Sequence, residues 1–454
     1  MPHEESECSL RRVITPFELI LLGIGAVVGT GIFVITGIAA ANYSGPAIIL
    51  SFVISGIVCI LAALCYAEFS AMVPVAGSAY TYCYASLGEI WAWIIGWDLI
   101  LEYAVAISAV AIGWSAYVVN ILTDIGIYLP PALVNPPGEA GGIVNLPAVL
   151  IILAIMGILI GGMRESVRIN TIIVLVNIAV ILLFFVLCFN HIDAVNWHPF
   201  MPFGWTGVFA GAAIVFFAYV GFDSVMTAAE EIENPQKNLP IGIIGSVLIV
   251  IILYVGVAAV LTGVVPFTEL GGTSAPVAYA LNRVGIPMGA ALVSLGAVCG
   301  ITSVILVTLY GQTRIFFAMA RDGLLPRLFS DLHKKFHTPA KSTYVVGIST
   351  AVVAGFIPLN TIAELVNIGT LAAFIVVAIG ILMLRKMRPD LERPFRCPWT
   401  PVVPALCIIS CAILIVALPM VTQLRFIIWM ILGLLVYFLF GIRNSGRHKE
   451  GTTQ

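Results

Sequence analysis

The chain has 454 residues, 61% of them hydrophobic and only 10% charged, with a formal net charge of -2. Soluble domains carry about 25% charged residues, and a soluble chain this apolar could not cover its surface with polar groups. The near-neutral balance implies no polyanion partner such as nucleic acid.

The apolar residues fall into runs close to the ~20 residues that a helix needs to cross a bilayer. They do not form the ~10-residue alternating segments of a strand barrel. The expected fold is therefore all-α integral membrane, with twelve spans at 17–41, 46–71, 88–121, 145–163, 171–190, 207–230, 239–265, 287–318, 342–358, 361–384, 402–422 and 424–442. The tail from Met1 to Arg12 is acidic, then basic, without a small-residue cleavage site. The first run is thus expected to be a retained span and not a signal peptide.

Span one carries Gly23, Gly25, Gly29 and Gly31 within nine residues, with Thr30 between the last two. Each glycine costs about 1 kcal/mol in a helix interior relative to alanine, so a regular helix is not expected there. Unwound backbone at mid-membrane is tolerated inside protein or along a water-filled cavity, where freed N–H groups of the second half-helix can bind an anion. Gly25-xxx-Gly29 is also a small-xxx-small packing motif, so span one alone leaves both readings open. Span six tips the balance: Phe216-Phe217-Ala218-Tyr219-Val220-Gly221-Phe222-Asp223-Ser224 repeats a mid-span glycine beside a polar residue. Paired interrupted segments in corresponding positions of two repeats point to a transporter site.

Charged residues inside spans need a reason, since a carboxylate at mid-bilayer costs at least ~2.5 kcal/mol. Glu68 lies near the inner end of span two, which suggests a structural or gating role. Asp98 and Glu102 share one face of span three at i, i+4. Glu102, the deeper, reads as a cation or proton partner, a polar wall of the substrate cavity, or a protonated or hydrogen-bonded structural carboxyl. Asp223 follows the span-six glycine and could cap a second half-helix. All six histidines fall in termini or loops, which excludes a histidine relay. The cysteines lack metal spacing such as CxxC, and a disulfide framework is not expected.

With the N-terminus placed in the cytoplasm, Arg283 and Arg425 alone among the 21 lysines and arginines fall outside. This bias supports the span count and a cytoplasmic placement of both termini. The longest polar connections, about 122–144 and 319–341, are too short for a separate core.

Five ordered blocks resemble the amino acid–polyamine–organocation superfamily, in particular its cationic amino acid transporter branch and the branch's bacterial proton-coupled members. They are Gly23–Phe33, then Tyr66–Phe69 through Pro74–Tyr82, then Arg164-Glu165-Ser166 with Asn170, then Glu230–Pro235 with Pro240, then Arg314 through Met319–Gly323. The resemblance spans about residues 10–440. It implies a first five-helix repeat over 17–190, an inverted second repeat over 207–384, and two additional helices over 402–442, flanked by cytoplasmic tails 1–16 and 443–454. It implies alternating access with helices one and six discontinuous.

By the same resemblance, a substrate carboxylate meets backbone N–H groups at Gly29, Thr30 and Gly31, beside Ala26. The substrate ammonium meets carbonyls near Phe217, Ala218 and Val220. Phe217 resembles an aromatic gate, and Glu102 a pocket glutamate. Proton-coupled relatives carry a span-five lysine where this chain has Asn177, which does not titrate, so the chain resembles facilitators and exchangers at that position. A sodium site like that of the wider fold would use Gly25 and Val28 carbonyls with the Thr302 and Ser303 hydroxyls. Those hydroxyls could equally bond back to their own helix.

The leading expectation is a permease importing cationic or small neutral L-amino acids, proton-coupled by resemblance, with sodium symport, exchange and facilitation as alternatives. A membrane sensor without flux is a different class. An intramembrane enzyme lacks a nucleophile or metal motif beside Asp98 and Glu102. No cofactor is implied; the partners are an amino acid, a proton or sodium ion and the bilayer, with a small membrane accessory subunit left open. Short tails lean toward a bacterial plasma membrane.

Overall fold

The computed structural model describes residues 14–72, 80, 83–84, 88–160, 167–223, 225–226, 232–273, 275–331 and 339–442. Residues 1–13 and 443–454 of the tails, Pro74–Ala79 with Thr81 and Tyr82, Arg164–Ser166, Ser224, Glu230, Glu231, Lys334 and Lys335 lie outside them. The side chains of 167–170, Asn170 among them, are also outside.

Among the described residues, the longer helices in chain order are α1 (Pro16–Val27), α2 (Ile48–Met72), α3 (Glu89–Asp124), α4 (Leu146–Ile160), α5 (Val167–Cys188), α6 (Gly204–Val215), α7 (Pro235–Val264), α8 (Pro287–Arg321), α9 (Ala340–Phe356), α10 (Leu359–Met387), α11 (Val402–Ala417) and α12 (Met420–Val436). Among the described residues, strand-type pairing is confined to one parallel bridge, Ile14 with Ile232. Among the described residues, seven helices are long and apolar enough to cross a membrane, and five shorter apolar helices accompany them.

Local chemistry sets the first boundary. Thr15 accepts from the Glu18 N–H, the Glu18 carboxylate accepts from the Thr15 N–H at 3.0 Å, and Pro16 occupies the first helical turn. This reciprocal cap satisfies donors that a helix start leaves open.

The helices pack in a recurrent pattern: α2 runs along α7, α3 along α8 and α4 along α9. α1 lies against α7, α5 and α8, while α10 packs on α3. α11 leans on α10 and α2, and α12 touches α3 and α10. Leu424, Ile428, Ile431 and Leu435 along α12 are exposed, as are Ile348 and Val352 on α9. Continuous apolar exteriors of this kind suit lipid, not water.

Glu68, near the C-terminal end of α2, is buried and held from three directions. Arg385 donates through Nε to Oε1 at 2.9 Å and through Nη2 to Oε2 at 2.5 Å. The Cys397 N–H donates to Oε2 at 2.7 Å, and Arg393 Nε stands 3.4 Å from Oε1. Arg393 also caps the end of α10, donating to Leu391 O at 2.7 Å and Arg388 O at 2.9 Å. The carboxylate therefore ties α2 to the connection between α10 and α11.

Candidate functional site

The helical ladder of span one stops at Val28, whose N–H reaches Ile24 O at 2.8 Å and whose backbone turns extended at φ −76°, ψ 92°. Helix resumes as a π-helical turn over Gly31–Ile35. The next backbone donor in use is the Phe33 N–H, 3.4 Å from Gly29 O. Between these two, the N–H groups of Gly29, Thr30, Gly31 and Ile32 find no acceptor among the described residues. Leaving one such buried donor unpaired costs about 1–3 kcal/mol. Four of them at the start of the second half-helix, its positive end, suit a carboxylate. Gly25, the predicted cation ligand, lies buried in the last turn of α1, and its carbonyl receives no N–H from Gly29.

Close packing explains why these positions are glycine. A side chain at Gly31 would overlap the backbone of Ala218, and one at Gly221, at φ 111°, would meet Ala26 O. The two interrupted segments thus touch backbone to backbone, with Gly29, Gly31 and Ala218 buried and Ala26 and Val220 half-buried. On α3, Gly113 leaves room for Thr30, whose hydroxyl donates to Val110 O at 3.2 Å.

The carbonyls at the end of α1 are held by side chains. The Tyr254 hydroxyl of α7 donates to Val27 O at 3.0 Å. Asn177 of α5 donates from Nδ2 to Val28 O, also at 3.0 Å. Asn177 Oδ1 is buried without a partner among the described residues, and its amide fills the space that Gly300 of α8 leaves open.

In span six, α6 gives way to a 3-10 turn over Phe216–Tyr219, Val220 turns extended at ψ 137°, and its N–H donates to Phe217 O at 3.3 Å. Asn367 of α10 caps the end of α6, donating to Ala213 O at 2.7 Å and Ile214 O at 3.1 Å. The segment leaves the helical pattern carbonyl end first, opposite in polarity to the N–H row of span one. Ser224 and residues 227–231 lie outside the described residues, so the capping expected of Asp223 falls outside them as well.

Glu102 is displaced from the span-one break but has Asp223, two residues past Gly221 of the span-six break, as a neighbour. It stands eight residues before Val110 on α3, about 12 Å along the axis. There it is buried with Thr370 and Asp223 as polar neighbours. Asp98, on the same face, has a buried Oδ1 without a partner among the described residues, and Gly369 of α10 makes room for it. The Thr302 hydroxyl donates to Val298 O of its own helix at 2.7 Å and accepts from Trp114 Nε1 at 2.8 Å. Ser303 beside it is buried.

Tyr254, Asn367, Gly113 and Val304 shape the break but carried no pattern of their own in the sequence. The one hint was a polar residue inside an apolar run, which Tyr254 and Asn367 share with many others. At the C-terminal end of α8, the Tyr80 hydroxyl donates to Asp322 Oδ2 at 2.7 Å. Burial, and then the Asp322 charge, push this phenol above its ordinary value.

The family model described as amino acid permease matches residues 14–440. A methylthioribose transporter of Bacillus subtilis is 51% identical over 97% of this chain and 96% of its own length. The branched-chain amino acid permease BcaP of the same organism is 49% identical over 97% of this chain and 95% of its own. The vacuolar cationic amino acid transporter 2 of Arabidopsis thaliana is 40% identical over 85% of this chain and 61% of its own.

Proposed function

The chain belongs to the amino acid permease family, within the amino acid–polyamine–organocation superfamily, and on that premise we propose that it imports L-amino acids across a bacterial plasma membrane by alternating access. The observation that carries this reading is the row of unclaimed N–H groups from Gly29 to Ile32, pressed through Gly31 against Ala218. Donors on span one face the substrate carboxylate, and carbonyls near Phe217, Ala218 and Val220 face its ammonium. Every α-amino acid offers both groups at fixed separation, so this half of the site accepts cationic and small neutral substrates alike.

The proposed frame is twelve spans, with inverted repeats over 17–190 and 207–384, an added pair over 402–442, and both termini cytoplasmic. The pairing of α2 with α7, α3 with α8 and α4 with α9 supports it, because each helix packs on the one five places later.

Proton symport is the family's expectation, but one contact favours exchange or facilitation. The Asn177 amide already supplies Val28 O with a donor, where a titrating or mobile cation would otherwise sit. An amide keeps its hydrogens at every physiological pH, so this contact cannot report the proton gradient.

Uptake of labelled amino acids into proteoliposomes, with imposed proton or sodium gradients or internal amino acid, tests the proposal. Absence of uptake under all conditions removes the transporter reading. Stimulation by a proton gradient, with no effect of internal substrate, removes the exchange reading.

A further inference from the structure

The break in span six is held by a helix outside both interrupted segments. The ladder of α6 ends where the Phe216 N–H reaches Ala212 O. In a continuous helix the next two carbonyls, Ala213 O and Ile214 O, would take the N–H groups of Phe217 and Ala218. Here they take the two hydrogens of one side-chain amide, Asn367 Nδ2 of α10, at 2.7 and 3.1 Å. Two carbonyl neighbours fix which end of the amide faces them, since only its NH2 group donates. Asn367 is fully buried, and its Oδ1 is left without a partner among the described residues. A leucine of similar volume would avoid that orphan oxygen, so packing alone gives no reason for an amide here.

α10 meets the same segment again beyond the break. Phe374 follows Asn367 by about two helical turns, so it lies on the same face, roughly 10 Å further along. Its ring packs edge-on against Phe216, with centroids 5.8 Å apart, and tilted against Phe222 at 5.3 Å. Phe216 precedes the extended residue Val220, and Phe222 follows it. α10 therefore grips the backbone on both sides of the 3-10 turn and of Gly221 with its positive φ. Within that stretch the Phe217 carbonyl takes the Val220 N–H, and no donor among the described residues reaches Ala218 O. The backbone of Ala218 is the part pressed against Gly31, in the N–H row of span one. A helix end releases its last carbonyls. Asn367 takes one pair of them, and the open one belongs to the residue packed on the N–H row.

We propose that Asn367 is the positioning residue for the ammonium end of the site: it holds Ala213 O and Ile214 O, so that carbonyls of the following turn stay free for the substrate's ammonium. It touches no substrate and acts through the backbone of Phe217, Ala218 and Val220. The inference rests on the permease reading for the zwitterionic ligand, and it adds a residue that reading leaves out.

The test uses the full chain, with binding read from thermal stabilisation and transport read from proteoliposomes. The probes are alanine, valine and lysine, each paired with the 2-hydroxy acid of the same skeleton, in which a hydroxyl replaces the ammonium. For the probe it binds best, wild type is expected to prefer the amino acid by at least about 100-fold, because a site with polar groups aimed at one substituent rejects the analogue without it. Asn367→Leu removes both donors and is expected to cut that ratio about 10-fold, through weaker binding of the amino acid alone. The half-saturating concentration for uptake rises to match, while the maximal rate stays within about threefold of wild type. Asn367→Ser keeps one donor in a smaller side chain; it is expected to fold where the leucine variant does not, and to cut the ratio by a smaller factor. An unchanged ratio in whichever variant folds overturns the proposal. So does equal weakening of amino acid and hydroxy acid, which is what a merely structural residue would produce. Wild type stabilised by none of the three amino acids removes the permease reading and the proposal with it. Binding with the expected ratios but without flux leaves the role of Asn367 standing and removes the transport reading instead.

Discussion

The break in span one and the rim where α2 ends are held by opposite means. At the break, Val27 O and Val28 O each receive one neutral hydrogen bond, from Tyr254 and Asn177, and a row of N–H groups is left for something else to take. At the rim, Glu68 is bound by a two-point guanidinium contact, a second arginine and a backbone N–H. Single neutral bonds contribute about 1 kcal/mol each and can be exchanged at little cost. A buried carboxylate with several charged partners is far harder to open, because breaking it strands a charge. The difference separates the part of the fold built to exchange partners from the part built to stay assembled.

The largest expected effect is therefore at the rim. Glu68→Ala leaves Arg385 and Arg393 without their carboxylate and is expected to destabilise the protein by about 3 kcal/mol, the low end for a buried pair, since the Arg385 side chain is 27% exposed and can rehydrate. A melting midpoint equal to wild type in detergent would show that the contact is not structural. Next is Gly31→Ala, where the new methyl overlaps Ala218 and forces the two interrupted segments apart. Uptake is expected to fall to background in a protein that still elutes as a monodisperse peak; half the wild-type rate would break the proposed contact between the breaks.

Asn177→Lys exchanges a fixed donor for a titrating one at Val28 O. Transport is expected to become sensitive to an imposed pH gradient, and pH dependence unchanged from wild type would mean that this position is not the coupling site. The smallest effect belongs to Tyr254→Phe, which removes one neutral bond from Val27 O. A loss of about 1 kcal/mol, read as a small shift of the melting midpoint with transport retained, would sharpen the contrast with Glu68. A loss as large as that of Glu68→Ala would erase it.

Much of this was legible along the chain. Helical spans follow from the length of the apolar runs, and the interruption of span one follows from four glycines within nine residues, since glycine's backbone freedom acts locally. The mid-span glycine at 221 likewise announced the second interruption, and the family blocks told which segments correspond. Glu68 was recognisable as a residue with a structural or gating task because an inner-end carboxylate in an apolar run requires a partner. That its partners would be Arg385, Arg393 and the Cys397 N–H was not, because they lie more than three hundred residues away.

What only the tertiary structure decided is register between helices. Periodicity gives the depth of Glu102 along its own helix. Its distance from Thr30 depends on how α1 crosses α3, and the contacts of Thr30 with Val110 and Gly113 fix that crossing. Asn177 was visible as an asparagine in place of a lysine, but whether its amide would reach Val28 O depended on the packing of α5 against α1. Thr302 offered a hydroxyl, and the arrival of Trp114 from α3 helped determine what it holds. The sequence by itself determined where the helices break, because backbone entropy and helix propensity act residue by residue. Which freed groups are claimed and which stay open was settled by tertiary packing, because each claim needs a side chain from a different helix at hydrogen-bond distance.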